Sequence, residues 1–209
     1  MSKDYPNNNE IKELLNRYHV PKLVLNHCKK VKEVAVFLAK KLNEKGENYN
    51  LELISAAAEL HDIGKAMTFK EIDVEKKEDI ICADEEREKY EFWFDEKKKF
   101  DSKSHAKIAV DILNNYPLVA EIIGNHTPKQ INNKNLSKET ILINYIDKRI
   151  IETKIVHIKI RFDYFKKKYG AILSSADIIN KYLQIENELF EKLDFSPEEL
   201  EEKIKENGQ

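Results

Sequence analysis

The stretch LELISAAAELHDIGK, residues 51–65, indicates a buried helix that leads directly into a histidine and an aspartate. Ile54 and Ala58 are four positions apart, which places them on the same inward face of a helix. Asn50 is a residue type that caps helix N-termini, and Gly64 is expected to act as the C-terminal signal. The stretch therefore predicts a small-residue helix that can pack closely against its neighbours.

Helical spacing continues on both sides of this stretch. After Pro21, apolar residues three and four apart predict a long helix that Gly46 ends. Its stripe consists of Val24, Cys28, Val31, Ala35, Leu38 and Leu42. Downstream, helices are predicted to start at Ser104, at Pro117 and at Ser137 (through Ile150), to span about 155–169 and 174–193, and to begin again after Ser196. With five glycines, five prolines and little strict alternation, the chain is predicted to be all-α, a compact helical bundle.

The 209 residues predict one compact domain in three parts. Residues 1–20 form an N-terminal helix or arm, residues 21–170 the core, and residues 171–209 C-terminal helices that pack on it. Residues 66–104 form a densely charged insert, for which we expect a loop and one amphipathic helix. Its aromatic residues are Tyr90, Phe92, Trp93 and Phe94. They would serve either as a lid over a site or as packing for a helix.

Composition excludes several functional classes. The net charge of -2 disfavours a general nucleic-acid binder. The polar start MSKDYPNNNE lacks the apolar core of a signal peptide, and the longest apolar run, residues 34–39, is too short to cross a bilayer. Cys28 and Cys82 are too few for a disulfide framework and are expected to be reduced thiols of a cytoplasmic protein. The acidic terminal helix is expected to be a solvated face or a homodimer contact.

Six ionisable side chains lie at or near apolar helix faces and carry the chemistry. They are His27, His61, Asp62, His105, His126 and Asp147. Any one buried histidine is usually structural, with a single hydrogen bond to the backbone. Several of them together with two carboxylates need a common partner, and imidazole with carboxylate is the ligand chemistry of divalent transition metals. The pattern therefore predicts a metal centre built from distant parts of the chain.

These residues resemble the HD-domain metal-dependent phosphohydrolase superfamily over about residues 22–170. The resemblance is carried by HCKKV (27–31), HDIGK (61–65) and INYIDKR (143–149). His105 and His126 match the extra histidines of the subgroup that holds two metals. The Gly-Tyr-Pro signature of the cyclic-di-GMP branch is missing, which argues against that substrate.

The resemblance implies one or two divalent ions, either Fe, Mn, Zn, Ni, Co or Mg. His27, His61, Asp62 and Asp147 would hold the first, and His105 and His126, with Asp62 bridging, the second. Asp62 and Lys65 are expected to be catalytic. Lys65, Arg149 and Arg161 are expected to contact a substrate phosphate, although both arginines are equally suited to structural ion pairs.

The activity implied is hydrolysis, by metal-activated hydroxide, of a phosphoester or phosphoanhydride in a nucleotide or related small molecule. The alternative is a catalytically silent module of the same family that senses a nucleotide or binds a partner. The sequence leaves the substrate, the metal and the oligomeric state open.

Overall fold

The computed structural model describes residues 4–69, 89–100, 103–170 and 175–208. Its α-helices are α1 (Asn8–Arg17), α2 (Lys22–Glu44), α3 (Leu51–Leu60), α4 (Tyr90–Lys99), α5 (His105–Ile112), α6 (Pro117–Gly124), α7 (Lys138–Asp147), α8 (Ile158–Tyr169), α9 (Ala176–Phe190) and α10 (Leu200–Asn207). Strands β1 (Ile150–Ile151) and β2 (Lys154–Ile155) form an antiparallel hairpin, and 3-10 helices span Ala66–Thr68 and Pro128–Asn132. The predicted all-α class is confirmed. Among the helices of the described residues, none is both long enough and apolar enough to cross a membrane.

The predicted helix starts depend on local hydrogen bonds, and the structure confirms four of them. The side chains of Asn50, Ser104 and Ser137 each accept a hydrogen bond from the backbone N–H three residues ahead. Pro117 occupies the first position of α6, where its missing N–H costs nothing. These caps fix where α3, α5, α6 and α7 begin, and all four helices end or start beside the site.

Helix α3 lies in the middle of the core and packs against α1, α2, α6 and α7. Ala57 and Ala58 are fully buried on it, and small side chains allow α2 and α3 to pack closely. Because α3 contacts four helices, the position of its C-terminal end is strongly determined. His61 and Asp62 directly follow that end.

Gly64 does not act as the predicted C-terminal signal. Helix α3 ends at Leu60, and the φ angle of Gly64 lies outside the positive range that such glycines adopt. A Cβ atom at Gly64 would lie 2.6 Å from the carbonyl oxygen of His105 and 3.0 Å from Ile108 Cβ. The glycine is needed because α5 approaches this turn closely.

The helix that was expected to reach Ile150 ends at Asp147, and the chain then forms the β1–β2 hairpin. β-Branched isoleucines favour the strands. Glu152 occupies the turn with φ of 55°, an unusual conformation for a side chain with a Cβ. Its carbonyl oxygen lies 3.0 Å from His27 Nδ1, so the turn contacts the site.

The charged insert is described only in part, since residues 70–88 and 101–102 lie outside the described residues. Trp93 of α4 is 2% exposed and packs against Ala66. Its Nε1 donates to the carbonyl oxygen of Tyr18 at 3.2 Å. Trp93 therefore packs α4 onto the body of the protein, and the lid over the site stays a prediction.

Candidate metal centre

Five helices bring the six predicted ligands together. His27 lies within α2, His61 and Asp62 directly follow α3, His105 is the first residue of α5, and Asp147 is the last residue of α7. His126 comes two residues after the end of α6, so a loop and not the expected helical spacing from Ile122 positions it. The ligand atoms form two groups, each within a span of 4.8 Å. The His27 trio consists of His27, His61 and Asp147, and the Asp62 trio consists of Asp62, His105 and His126.

In the His27 trio, one carboxylate oxygen faces two imidazoles. Asp147 Oδ1 lies 3.0 Å from His27 Nε2 and 3.7 Å from His61 Nε2. His61 Nδ1 donates to the carbonyl oxygen of Ala58 at 2.8 Å, and His27 Nδ1 faces that of Glu152. A backbone acceptor at Nδ1 leaves Nε2 with its lone pair, which is the arrangement of most metal-binding histidines.

In the Asp62 trio, the two imidazole nitrogens face each other. His105 Nε2 lies 3.2 Å from His126 Nε2, and these atoms lie 3.4 and 3.9 Å from Asp62 Oδ1. His126 Nδ1 donates to the carbonyl oxygen of Ile123 at 2.6 Å, so its Nε2 is an acceptor. At this distance His105 Nε2 can donate a proton to His126 Nε2, or both nitrogens can face a cation.

Asp62 connects the two trios. Its Oδ1 belongs to the Asp62 trio, whereas its Oδ2 lies 3.7 Å from His61 Nε2. Oδ2 also lies 3.5 Å from Lys65 Nζ. One carboxylate thus faces both groups, and the expectation that it bridges two ions stays a prediction.

Unsatisfied polar atoms provide a test of whether a metal fits here. Within the described part of the chain, His61 Nε2 and Asp62 Oδ1 are buried without a hydrogen-bond partner. Buried polar atoms without a partner are costly, and at native sites they call for a ligand, an ion or a water. An imidazole nitrogen and a carboxylate oxygen are both ligand atoms that divalent transition metals bind. The residues therefore fit a nitrogen- and oxygen-liganded divalent ion.

The protonation states also fit a metal. Burial lowers the pKa of His61 and lowers that of His126 to about 4. Burial likewise lowers the pKa of His105 well below its usual value. Burial alone would raise the pKa of Asp62 and Asp147, but the neighbouring lysine and histidines together outweigh it and hold the pKa of both well below the usual range. The lysine is Lys65 for Asp62 and Lys148 for Asp147. Neutral imidazoles and ionised carboxylates are the forms that ligate metals.

Among the described residues, the cluster is most exposed beside His105 and Lys65. The side chains of His105 and Lys65 are 24% and 34% exposed, whereas those of His61 and His126 are 0% and 2% exposed. A molecule that reaches the site therefore meets Lys65 and the Asp62 trio first.

The two arginines differ in their surroundings. Arg161 NH2 lies 4.0 Å from Asp147 Oδ1, and its guanidinium lies over the ring of Phe165. Arg149 is directed elsewhere: its side chain is 2% exposed, and its nitrogens bind Glu186, Tyr145 and two backbone carbonyls. The expectation that Arg149 contacts a phosphate is therefore corrected to a structural ion pair.

Sequence reasoning missed Lys148. Its side chain is 3% exposed, pairs with Asp147 Oδ2 and donates to the carbonyl oxygen of His126 at 3.0 Å. A buried lysine needs such partners, because desolvation of an unpaired ammonium is costly. The available signal was a charged residue at the end of an apolar helix.

The fold and the site define an all-α protein with a cluster of histidines and aspartates of metal-ligand type. A family model of the HD domain matches residues 24–150, which is more than half of the chain, so this chain belongs to the HD domain family. Searches of curated proteins and of solved structures found no match. Most HD-domain proteins are metal-dependent hydrolases, and some are non-catalytic. The match lies within the predicted core of residues 21–170, whose boundaries stay a prediction.

Proposed function

We propose that this chain is a metal-dependent phosphohydrolase that cleaves a phosphoester or phosphoanhydride of a nucleotide or related small molecule. The observation that carries the proposal is the pair of neighbouring trios, with Asp62 of one facing His61 of the other, and with His61 Nε2 and Asp62 Oδ1 buried and unsatisfied. A site with a purely structural role would satisfy these atoms within the protein.

Each trio would hold one ion. The His27 trio supplies two imidazoles and a carboxylate, and so does the Asp62 trio. A divalent ion with such ligands lowers the pKa of a bound water and neutralises charge on a phosphoryl oxygen. Asp147 stays ionised beside Lys148, and Asp62 beside Lys65, so the protein keeps two negative charges at the site.

Lys65 and Arg161 would bind the phosphate. Lys65 Nζ lies beside Asp62 on the exposed side of the cluster, where an ammonium group can contact a phosphate oxygen and donate a proton to the leaving oxygen. Arg161 lies beside Asp147 with a guanidinium whose planar donors match a phosphate. A nucleotide substrate and a homodimer through the acidic terminal helix α10 stay predictions.

Metal analysis of the purified full-length chain, followed by a phosphatase screen with Mn²⁺ or Fe²⁺ supplied, tests the proposal. We expect bound metal and hydrolysis in the wild type, and loss of hydrolysis and of the ion of the Asp62 trio in Asp62→Ala. The matched control is Asp111→Ala, which removes an exposed carboxylate of α5 that pairs with Lys103 and should change neither. Hydrolysis that survives in Asp62→Ala would refute the assignment of catalysis to this site.

Lys65→Met separates catalysis from metal binding. Because Lys65 is not a ligand type for these ions, the variant should keep its metal and lose turnover. A wild-type chain that holds metal, binds nucleotides and hydrolyses none of them would favour the silent sensing module instead.

A further inference from the structure

The loop that carries His126 is held by α7 through three consecutive carbonyl groups. Asn144 Nδ2 donates to the carbonyl oxygen of Asn125 at 2.8 Å and to that of Thr127 at 3.2 Å. Lys148, the residue that directly follows α7, donates to the carbonyl oxygen of His126 between them. The backbone on both sides of this histidine is therefore fixed by side chains of α7 and of the residue after it.

The amide of Asn144 is in turn fixed by α9. Tyr182 donates its hydroxyl hydrogen to Asn144 Oδ1, and both residues are 0% exposed. With its oxygen bound to Tyr182 and its nitrogen to two carbonyls, the Asn144 amide has one orientation that satisfies every partner. Burial also raises the pKa of Tyr182 well above its usual value, so the hydroxyl remains a donor.

The same helix also carries a ligand of the other trio. Asp147 lies on α7 three positions after Asn144, so α7 sets the loop of His126 relative to the His27 trio. Helix α9 begins at Ala176, beyond the residues 24–150 that match the HD domain. A helix outside the family match thus reaches the metal centre through a buried pair of polar side chains.

We propose that Tyr182 and Asn144 are positioning residues that set the affinity of the Asp62 trio for its ion. This inference rests on the proposed metal centre. Removing a residue that does not bind the metal but orients a ligating histidine typically weakens metal affinity by about 10-fold to 100-fold. Here the hydroxyl orients the amide, the amide holds the loop, and the loop places His126 Nε2 beside His105.

Tyr182→Phe tests the inference because it removes one oxygen and keeps the ring. The matched control is Tyr145→Phe, since the Tyr145 hydroxyl also joins α7 to α9 but binds Glu186 and Arg149 instead of the loop. The full-length protein is stripped with a chelator and titrated with Mn²⁺ by calorimetry. The wild type should bind two ions, Tyr182→Phe should bind one of them about 10-fold to 100-fold more weakly, and Tyr145→Phe should bind both as the wild type does.

A double-mutant cycle gives a second test. Asn144→Ala should weaken the same binding event, and adding Tyr182→Phe to it should cause no further loss, because both act through one pathway. Wild-type affinities in Tyr182→Phe, or an equal loss in Tyr145→Phe, would overturn the inference and leave the metal centre standing. A wild type that binds one ion would also overturn it, whereas one that binds none would overturn the proposed function as well.

Discussion

Replacing Gly64 with alanine should push the first turn of α5 away from Asp62. The new Cβ atom would lie 2.6 Å from the carbonyl oxygen of His105 and 3.0 Å from Ile108 Cβ and Cγ2. Because the closest atom belongs to the backbone of a helix, the overlap cannot be relieved by rotating a side chain. Overpacking of this kind costs about 1–3 kcal/mol. His105 Nε2, now 3.4 Å from Asp62 Oδ1, should move with its helix.

Thermal unfolding and Mn²⁺ binding measure the two consequences. In a chain of this size, 1 kcal/mol corresponds to about 2–4 °C, so the melting temperature of Gly64→Ala should fall by about 2–12 °C. The ion held by the Asp62 trio should bind more weakly, whereas the His27 trio should keep its affinity.

Gly124→Ala is the matched control for a glycine in the same region. Its added Cβ would meet only the side-chain atom Val110 Cγ2, at 3.1 Å, and alanine is favoured over glycine in a helix by about 1 kcal/mol. Because the helix preference and the tight contact with Val110 act in opposite directions, this variant should melt within about 2 °C of the wild type. If Gly64→Ala kept both the wild-type melting temperature and the wild-type Mn²⁺ affinity, the argument from close approach would be wrong.

Three further predictions follow from burial and charge. In the metal-free protein, burial lowers the pKa of His126 to about 4, so the unfolded chain binds more protons than the folded one between pH 6.5 and 4. The free energy of unfolding should fall by about 3 kcal/mol from this residue as the pH drops through that range, and a urea midpoint that is the same at pH 7 and pH 4 would contradict this. Arg149→Met leaves the part-buried carboxylate of Glu186 with the Tyr145 hydroxyl but without its cation, and should cost about 1–3 kcal/mol in urea unfolding, with unchanged Mn²⁺ content; a loss of metal would contradict its structural role. Arg161→Met should raise KM for the phosphorylated substrate and leave the melting temperature close to that of the wild type, and an unchanged KM would remove this residue from the phosphate site.

Local signals explain why most helices could be predicted from the sequence. A capping serine or asparagine bonds to the backbone three residues ahead, so Asn50 and Ser137 carry their information within one turn. The apolar stripe of α2 is equally local, since its spacing alone defines the buried face. The candidate ligand residues could also be predicted from local pattern. An imidazole or a carboxylate on an apolar helix face is buried, and a buried ionisable group needs a partner.

Contacts between distant parts of the chain explain what could not be predicted. A glycine after a helix usually ends it, and only the approach of α5 shows why Gly64 is there. His126 follows its helix by two residues, so its place depends on the carbonyl groups that Asn144 and Lys148 hold. Asn144 stands as one polar residue in the apolar run ILINYI, and that departure was the available signal for a buried network.

Arg149 and Arg161 show how burial separates two side chains that sequence treats alike. Arg149 is 2% exposed and uses Nε, NH1 and NH2 on acceptors within the protein, so its guanidinium is held away from a ligand. Arg161 Nε is buried and finds no hydrogen-bond partner in residues 4–69, 89–100, 103–170 and 175–208. A buried donor without a partner costs about 1–3 kcal/mol, and this cost disappears when an acceptor arrives. Because the same guanidinium lies beside Asp147, a phosphate oxygen at the proposed metal centre is an acceptor that Arg161 could reach and Arg149 could not.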